Sequence, residues 1–246
     1  MRLLDSAQQH RFPGNQHGQK QPADLPAVRL SKSKLTTYLH CAKRLWLQVY
    51  RRDVGVIDPR TRQVFEAGHR IGELARLQVA KGVLIDPDPR NLVAALAETR
   101  SALSLRRPLF ESAFLHQGVV VRVDILQPEK NGTWRLVEVK NASAARPYHI
   151  HDVAAQTWVL TGCDVNLSGA SIRLPTQVMR PGARDWRRRT FVDIDVTDEA
   201  IGLHASTKSI ATAARHTLEG SEPHRETGAH CDRPFRCEFL EYCSKR

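Results

Sequence analysis

Between Ser31 and Tyr50 the apolar positions Leu35, Leu39, Trp46 and Leu47 recur at helical spacing, and Ser31 or Ser33 stands where it can cap that helix. Asp58-Pro59 opens a second helix, reaching about Val79 and stopped by Lys81-Gly82. Its Phe65, Gly68, Ile71, Gly72 and Ala75 form a small-residue face suited to close packing. Asp86-Pro87-Asp88-Pro89 reads as a stiff linker, and Asn91 to Leu105 as a third helix. The period then falls to two. Leu109 to His116, Val119 to Leu126 and Thr133 to Lys140 read as consecutive strands, with Gln117-Gly118 and Pro128 to Gly132 as turns, hence an antiparallel meander. Pro147 starts a helix to about Thr161, and Val165 to Leu174 and Phe191 to Val196 are strand-like. Thr197 caps a long helix, with Asp198 and Glu199 in its first turn, that ends before Gly220. Helices first, a sheet in the middle and helices after predict an α+β fold.

Composition narrows the partners. The chain has 246 residues, enough for one domain with appendages, and its 41% apolar content supplies a core. No run approaches the roughly 18 apolar residues of a membrane span. Met1 to Leu25 lacks an apolar export segment and is rich in Gln, His, Gly and Pro, so it reads as a flexible tail; the expected compartment is the cytoplasm. Lys and Arg total 37 against 26 acidic residues, a formal charge of +11. DNA is the first candidate partner, since each phosphate neutralised adds affinity. A merely soluble basic protein is the plain alternative. The densest basic segment is Trp186-Arg187-Arg188-Arg189, preceded by Arg180 and Arg184. Its aromatic ring is placed to stack on a base while guanidinium groups hold phosphate, although a solvated loop fits equally. Lys43 and Arg44 are further candidates for facing DNA.

Two strands carry the candidate chemistry. Asp124 lies in Val-Arg-Val-Asp-Ile-Leu, and Glu138 and Lys140 in Leu-Val-Glu-Val-Lys. Alternation puts Glu138 and Lys140 on one face and Val137 and Val139 on the other. Asp124 meets Glu138 only if the two strands splay or bend there. Two carboxylates brought together in a cleft repel unless a hard divalent cation, Mg²⁺ or Mn²⁺, lies between them. Lys140 would then steady charge on a phosphate. An exposed hairpin with cross-strand charges is the alternative.

Five cysteines in a chain without an export signal point to metal ligation rather than disulfides. Cys231, Cys237 and Cys243 are spaced six apart. Six residues turn about 600° on a helix, so from a straight helix these thiols cannot converge. A looped segment is required, and Asp232-Arg233-Pro234 supplies a break. Cys41 is the expected fourth ligand. Soft thiolates select an iron–sulfur cluster or zinc, and His40 and His230 beside two of the cysteines keep zinc open. Cys163 has no partner in the pattern and reads as a packing residue.

Asp124, then Glu-x-Lys on the next strand, then a helix carrying Gln156 resembles the PD-(D/E)XK nuclease superfamily in its RecB-like branch. The cysteine set, one early and three late, resembles the iron–sulfur members of that branch, among them the CRISPR-associated adaptation exonucleases. The region from Leu30 onward is also similar to the N-terminal nuclease-like part of longer bacterial proteins, so the chain is expected to be a fragment or a reduced stand-alone form. The resemblance implies a restriction-endonuclease-like core, a mixed sheet with a meander flanked by helices, plus a cluster-stapled helical and loop element. It implies His69 and the Val139 carbonyl as metal ligands beside Asp124 and Glu138, with Glu66 a weaker candidate for that shell. It gives Gln156 a role near Lys140, and a 4Fe–4S cluster to Cys41, Cys231, Cys237 and Cys243. The family's Tyr four residues after the Gln is Leu160 here, and its closer cysteine pair is absent. The expected organisation is a tail over 1–29, the nuclease-like domain over 30–220, and a cysteine-rich tail over 221–246 completed by Cys41. The implied function is metal-dependent hydrolysis of DNA, acting on single strands or frayed ends with a helicase as a conceivable partner. The alternatives are a non-cutting DNA-binding module of the same fold and a zinc-bearing interaction domain.

Overall fold

The computed structural model describes residues 29–85, 88–180, 182, 190–233 and 236–245. The expected N-terminal tail, the Asp86-Pro87 part of the linker, the Pro234 break and the basic residues Arg184, Arg187, Arg188 and Arg189 with Trp186 lie outside them.

A seven-stranded mixed sheet forms the centre of an α+β fold. The strands are β1 (Leu30–Ser31), β2 (Val83–Leu84), β3 (Leu109–His116), β4 (Val119–Pro128), β5 (Trp134–Val139), β6 (Leu167–Pro175) and β7 (Phe191–Asp195). They lie in the order β2-β3-β4-β5-β6-β7, with β1 paired beside the start of β4. The expected meander is present: β3, β4 and β5 run antiparallel in turn. Beyond it, β5 and β6 run parallel, joined over helix α5 (Pro147–Thr161), and β7 returns antiparallel.

Helix α5 lies across one face of the sheet, and its run from Asp152 to Leu160 is buried throughout. Against it pack α1 (Lys32–His40), α6 (Thr197–Gly202) and α7 (His204–Glu219). The larger core sits on this face and includes Val119, Val121, Val123, Leu136, Val153 and Leu160. Helix α4 (Leu92–Leu103) contributes Ala95 and Ala102 to it. The opposite face is covered by α3 (Pro59–Leu77), whose Ala67, Ile71 and Ala75 meet Met179, Phe110, Ile125 and Val137. Asp58 caps α3, accepting from Arg60 N at 2.7 Å.

The structure corrects two helices. The expected helix over Ser31 to Tyr50 is two, because Cys41 adopts an extended backbone (φ −164°, ψ 120°) between α1 and α2 (Ala42–Tyr50). Its N–H closes α1 on Thr37 O, and its carbonyl opens α2 by accepting from Leu45 N. The expected long helix from Thr197 is likewise broken at Leu203. Thr197 is its first residue, not its cap, and its hydroxyl accepts from Ala170 N on β6.

Candidate active site

The site forms where β4 and β5 part. Their ladder runs from Pro128 with Trp134 up to Ile125 with Val137 and stops there. The next pair would be Asp124 with Glu138. Instead Asp124 turns its carboxylate into the gap, where Oδ2 accepts from Val139 N at 2.8 Å. The β3 side of β4 is irregular at the same level, since the ladder skips Glu111 opposite Asp124 and Glu111 has φ +54°. Alternation in β4 flips there too: Val119, Val121 and Val123 face the larger core, as does Leu126, while Ile125 joins the α3 side. A left-handed backbone at a non-glycine residue costs about 1–3 kcal/mol and persists only where the surroundings hold it. Here it releases Asp124 from the pleat.

Glu138 points to the α5 face and is 2% exposed. Lys32, the first residue of α1, donates to both its oxygens, at 2.7 and 2.9 Å. Lys140 contacts Oε1 at 2.8 Å and Asp152 Oδ2 at 2.5 Å. Gln156 Nε2 donates to Glu138 Oε2 at 2.8 Å and to the Asp152 carbonyl at 3.1 Å. Thr36 donates to Asp152 Oδ1 at 2.6 Å. The amide oxygen of Gln156 is buried and has no partner among the described residues.

This packing sets the charges. Burial, with Glu138 adding to it, pushes the Asp124 carboxyl up to about 7. Burial also acts to raise Glu138, but Lys140 and Lys32 outweigh it and hold that carboxyl well below the usual range. Lys140 is raised despite its burial by Glu138 and Asp152. Burial, assisted by Lys140, lowers His149 to about 4, so its ring is neutral near pH 7. The two carboxyls oppose each other in pH dependence. Between about 4, where an unfolded Asp ionises, and about 7, the folded chain keeps a proton on Asp124, so its contribution to stability falls as pH rises. The contribution of Glu138 is present above the unfolded Glu range and is lost as pH falls.

The structure thus gathers Asp124, Glu138, Lys140 and Gln156 in one place. His69 is not among them. It lies on the exposed side of α3, opposite the Ala67, Ile71 and Ala75 face, and Glu66 is exposed as well. Lys32, Thr36 and Asp152 join the site without having been anticipated. Asp152 had a usable signal, one turn before Gln156 on the same helix face. Lys32 had none, since only the pairing of β1 with β4 brings it there.

Cys41, Cys231, Cys237 and Cys243 line a common cavity with His40 and His230. No straight helix carries the late three: Cys231 ends a short 3₁₀ turn (Ala229–Cys231), and Cys243 ends α8 (Leu240–Cys243). Cys237 N donates to Cys231 O at 2.7 Å. All five cysteines are free thiols, and burial pushes Cys237 up to about 11 and Cys243 upward. Among the described residues no three His, Cys, Asp or Glu side chains are already grouped as metal ligands. Cys163 packs at the core edge and donates to Leu115 O at 3.3 Å. Lys43 and Arg44, expected to face DNA, instead turn inward. Lys43 is buried and pairs with Glu222 at 3.3 Å; Arg44 pairs with Glu238 at 2.7 Å. With Gln48, which also holds Glu238, they fasten the C-terminal segment onto α2.

No helix among the described residues is long and apolar enough to cross a membrane. No protein-family model matches the sequence, and no curated protein does. Among solved structures, the chain is similar to LHK-Exo in complex with dAMP, with TM-score 0.41 and 10% identity over 78% of this chain and 90% of that one. It is also similar to SSO0001, with TM-score 0.36 and 11% identity over 78% of this chain and 77% of that one.

Proposed function

We propose that the chain is a divalent-metal-dependent deoxyribonuclease in which Asp124 and Glu138 hold the metal and Lys140 serves the phosphate. The observation that supports it best is the departure of Asp124 from the ladder into the β4–β5 gap, beside Glu138. A strand does not give up its pairing and bury an acid raised to about 7 without something gained elsewhere. The donor chemistry fits Mg²⁺ or Mn²⁺: two carboxylates, the Val139 carbonyl and the unpartnered Gln156 amide oxygen are hard oxygen ligands. When bound, such an ion supplies Lewis-acid activation of the phosphodiester and of water. Lys140, kept protonated by Glu138 and Asp152, stands ready to neutralise charge that develops on phosphate oxygens. Asp152 and Thr36 orient that lysine, and Gln156 fixes the Glu138 rotamer. His69 has no part in this reading.

The donor set that lines this cavity, four soft thiols, suits a 4Fe–4S cluster by its chemistry, with zinc as the competing occupant. It would bind through Cys41, Cys231, Cys237 and Cys243 and tie α2 to the C-terminal segment, with a structural role. Anaerobically purified protein is expected to absorb near 400 nm and to contain iron and sulfide; a colourless protein holding one zinc would assign the site to zinc instead. The basic charge supports DNA as substrate, with single strands or frayed ends as the form and a helicase as a partner to be sought.

Incubation of labelled single-stranded and duplex DNA with Mn²⁺, against EDTA and against Lys140→Ala, tests the proposal. Cutting is expected with Mn²⁺ alone and only in the unaltered chain. A second reading, a non-cutting DNA-binding module, is favoured by the complete neutralisation of Glu138 by Lys32 and Lys140. Binding that survives EDTA with no cutting at any Mn²⁺ concentration would support it. Because ionised Asp124 is the form that ligates, Mn²⁺ affinity is expected to rise with pH through about 7 and then level off, as read by titration calorimetry.

A further inference from the structure

Every acceptor site on Glu138 is taken. Oε1 receives Lys32 and Lys140, and Oε2 receives Lys32 and Gln156. An ionised carboxylate offers about four lone-pair positions, so a divalent cation cannot ligate Glu138 until a donor leaves. The three donors are not equally free to do so. Gln156 is fully buried on α5 and also bonded to the Asp152 carbonyl. Lys140 has a second anchor in Asp152. Lys32 sits in the first turn of α1, is 19% exposed, and among the described residues pairs with Glu138 alone. Its ammonium rides on a flexible four-carbon stem.

We infer that Lys32 is a positioning residue that stands in for the metal on Glu138, holding the carboxylate in place and swinging out when a divalent cation enters. This rests on the reading of Asp124 and Glu138 as metal-binding carboxylates. Its consequence is that Lys32 competes with the cation, so metal affinity is set partly by a residue that never touches metal. A helper in chemistry would act the other way, lowering turnover and leaving affinity alone.

Titration calorimetry with Mn²⁺ on the full chain separates these outcomes. Lys32→Met, which keeps the stem and removes the charge, is expected to bind Mn²⁺ about tenfold tighter or more, the scale of one charged hydrogen-bond pair removed from competition. Lys32→Arg is expected to stay near the unaltered chain. Equal or weaker binding by a folded Lys32→Met overturns the inference while leaving the metal reading intact. If the unaltered chain binds Mn²⁺ no better than Asp124→Asn does, the metal reading fails and the inference with it. A measurement on the unaltered chain covers the case in which Lys32→Met does not fold. With ¹⁵N-labelled lysine, the ammonium signal of Lys32 is expected to lose its protection from exchange when Mg²⁺ is added, and a signal that stays protected at saturating Mg²⁺ overturns the inference.

Discussion

Replacing Asp124 with Asn is expected to reduce Mn²⁺-dependent DNA cleavage at least about a hundredfold, while making the metal-free protein more stable at pH 8. The amide keeps the size of the carboxylate, and its oxygen can still accept from Val139 N, so the splayed strands retain their tie. What is lost is the charge that draws a divalent cation between the strands. A hundredfold corresponds to about 2.7 kcal/mol at 1.36 kcal/mol per decade, within the several kcal/mol that Lewis-acid stabilisation supplies. The gain in stability follows from the same burial. At pH 8 the Asp124 carboxyl, raised to about 7, is ionised at a cost the folded state bears alone, and Asn removes that cost. Urea denaturation at pH 5.5 and pH 8 should show a larger advantage of the variant at the higher pH and a smaller one at the lower, where the folded chain has only part of that cost to bear. Cleavage at the unaltered rate, or equal stability at both pH values, contradicts the assignment.

Glu138→Ala is expected to be the most destabilising single substitution in the site, by about 3–5 kcal/mol. Its carboxylate is 2% exposed and is the shared partner of two ammonium groups and an amide. Truncation strands Lys32 and Lys140 beside each other, with Asp152 and the more distant Asp124 left to compensate. Most of the cost therefore comes from uncompensated charge rather than lost packing. Adding Lys32→Met to Glu138→Ala should recover part of the loss, since it removes one of the stranded cations. A double-mutant cycle by urea denaturation reads this directly. A loss below about 1 kcal/mol for Glu138→Ala would show that the cluster is solvated enough to need no partner.

Much of this arrangement was legible in the chain itself. Period-two runs delimited β3, β4 and β5 almost to the residue, and Pro147 and Thr161 bounded α5 as expected. Alternation correctly put Glu138 opposite Val137 and Val139. The parallel pairing of β5 with β6 left no local mark, because it depends on how α5 carries the chain over the sheet. The two-residue strands β1 and β2 are too short to show a period. No Pro or Gly between Ser31 and Tyr50 marks the break at Cys41, and its tertiary surroundings make an extended residue favourable there. Lys43 and Arg44 show the limit of reading charge from sequence. A basic pair looks the same whether it awaits phosphate or, as here, meets Glu222 and Glu238 brought from nearly 200 residues away.

The direct test of the central claim is a crystal of the full chain soaked in Mn²⁺, with anomalous data collected at an energy where manganese scatters strongly. The account predicts a peak in the β4–β5 gap within ligand distance, about 2.0–2.3 Å, of both the Asp124 and Glu138 carboxylates, with Lys32 turned away from Glu138. A saturated crystal with no peak there, and with Glu138 still held by Lys32, would contradict it.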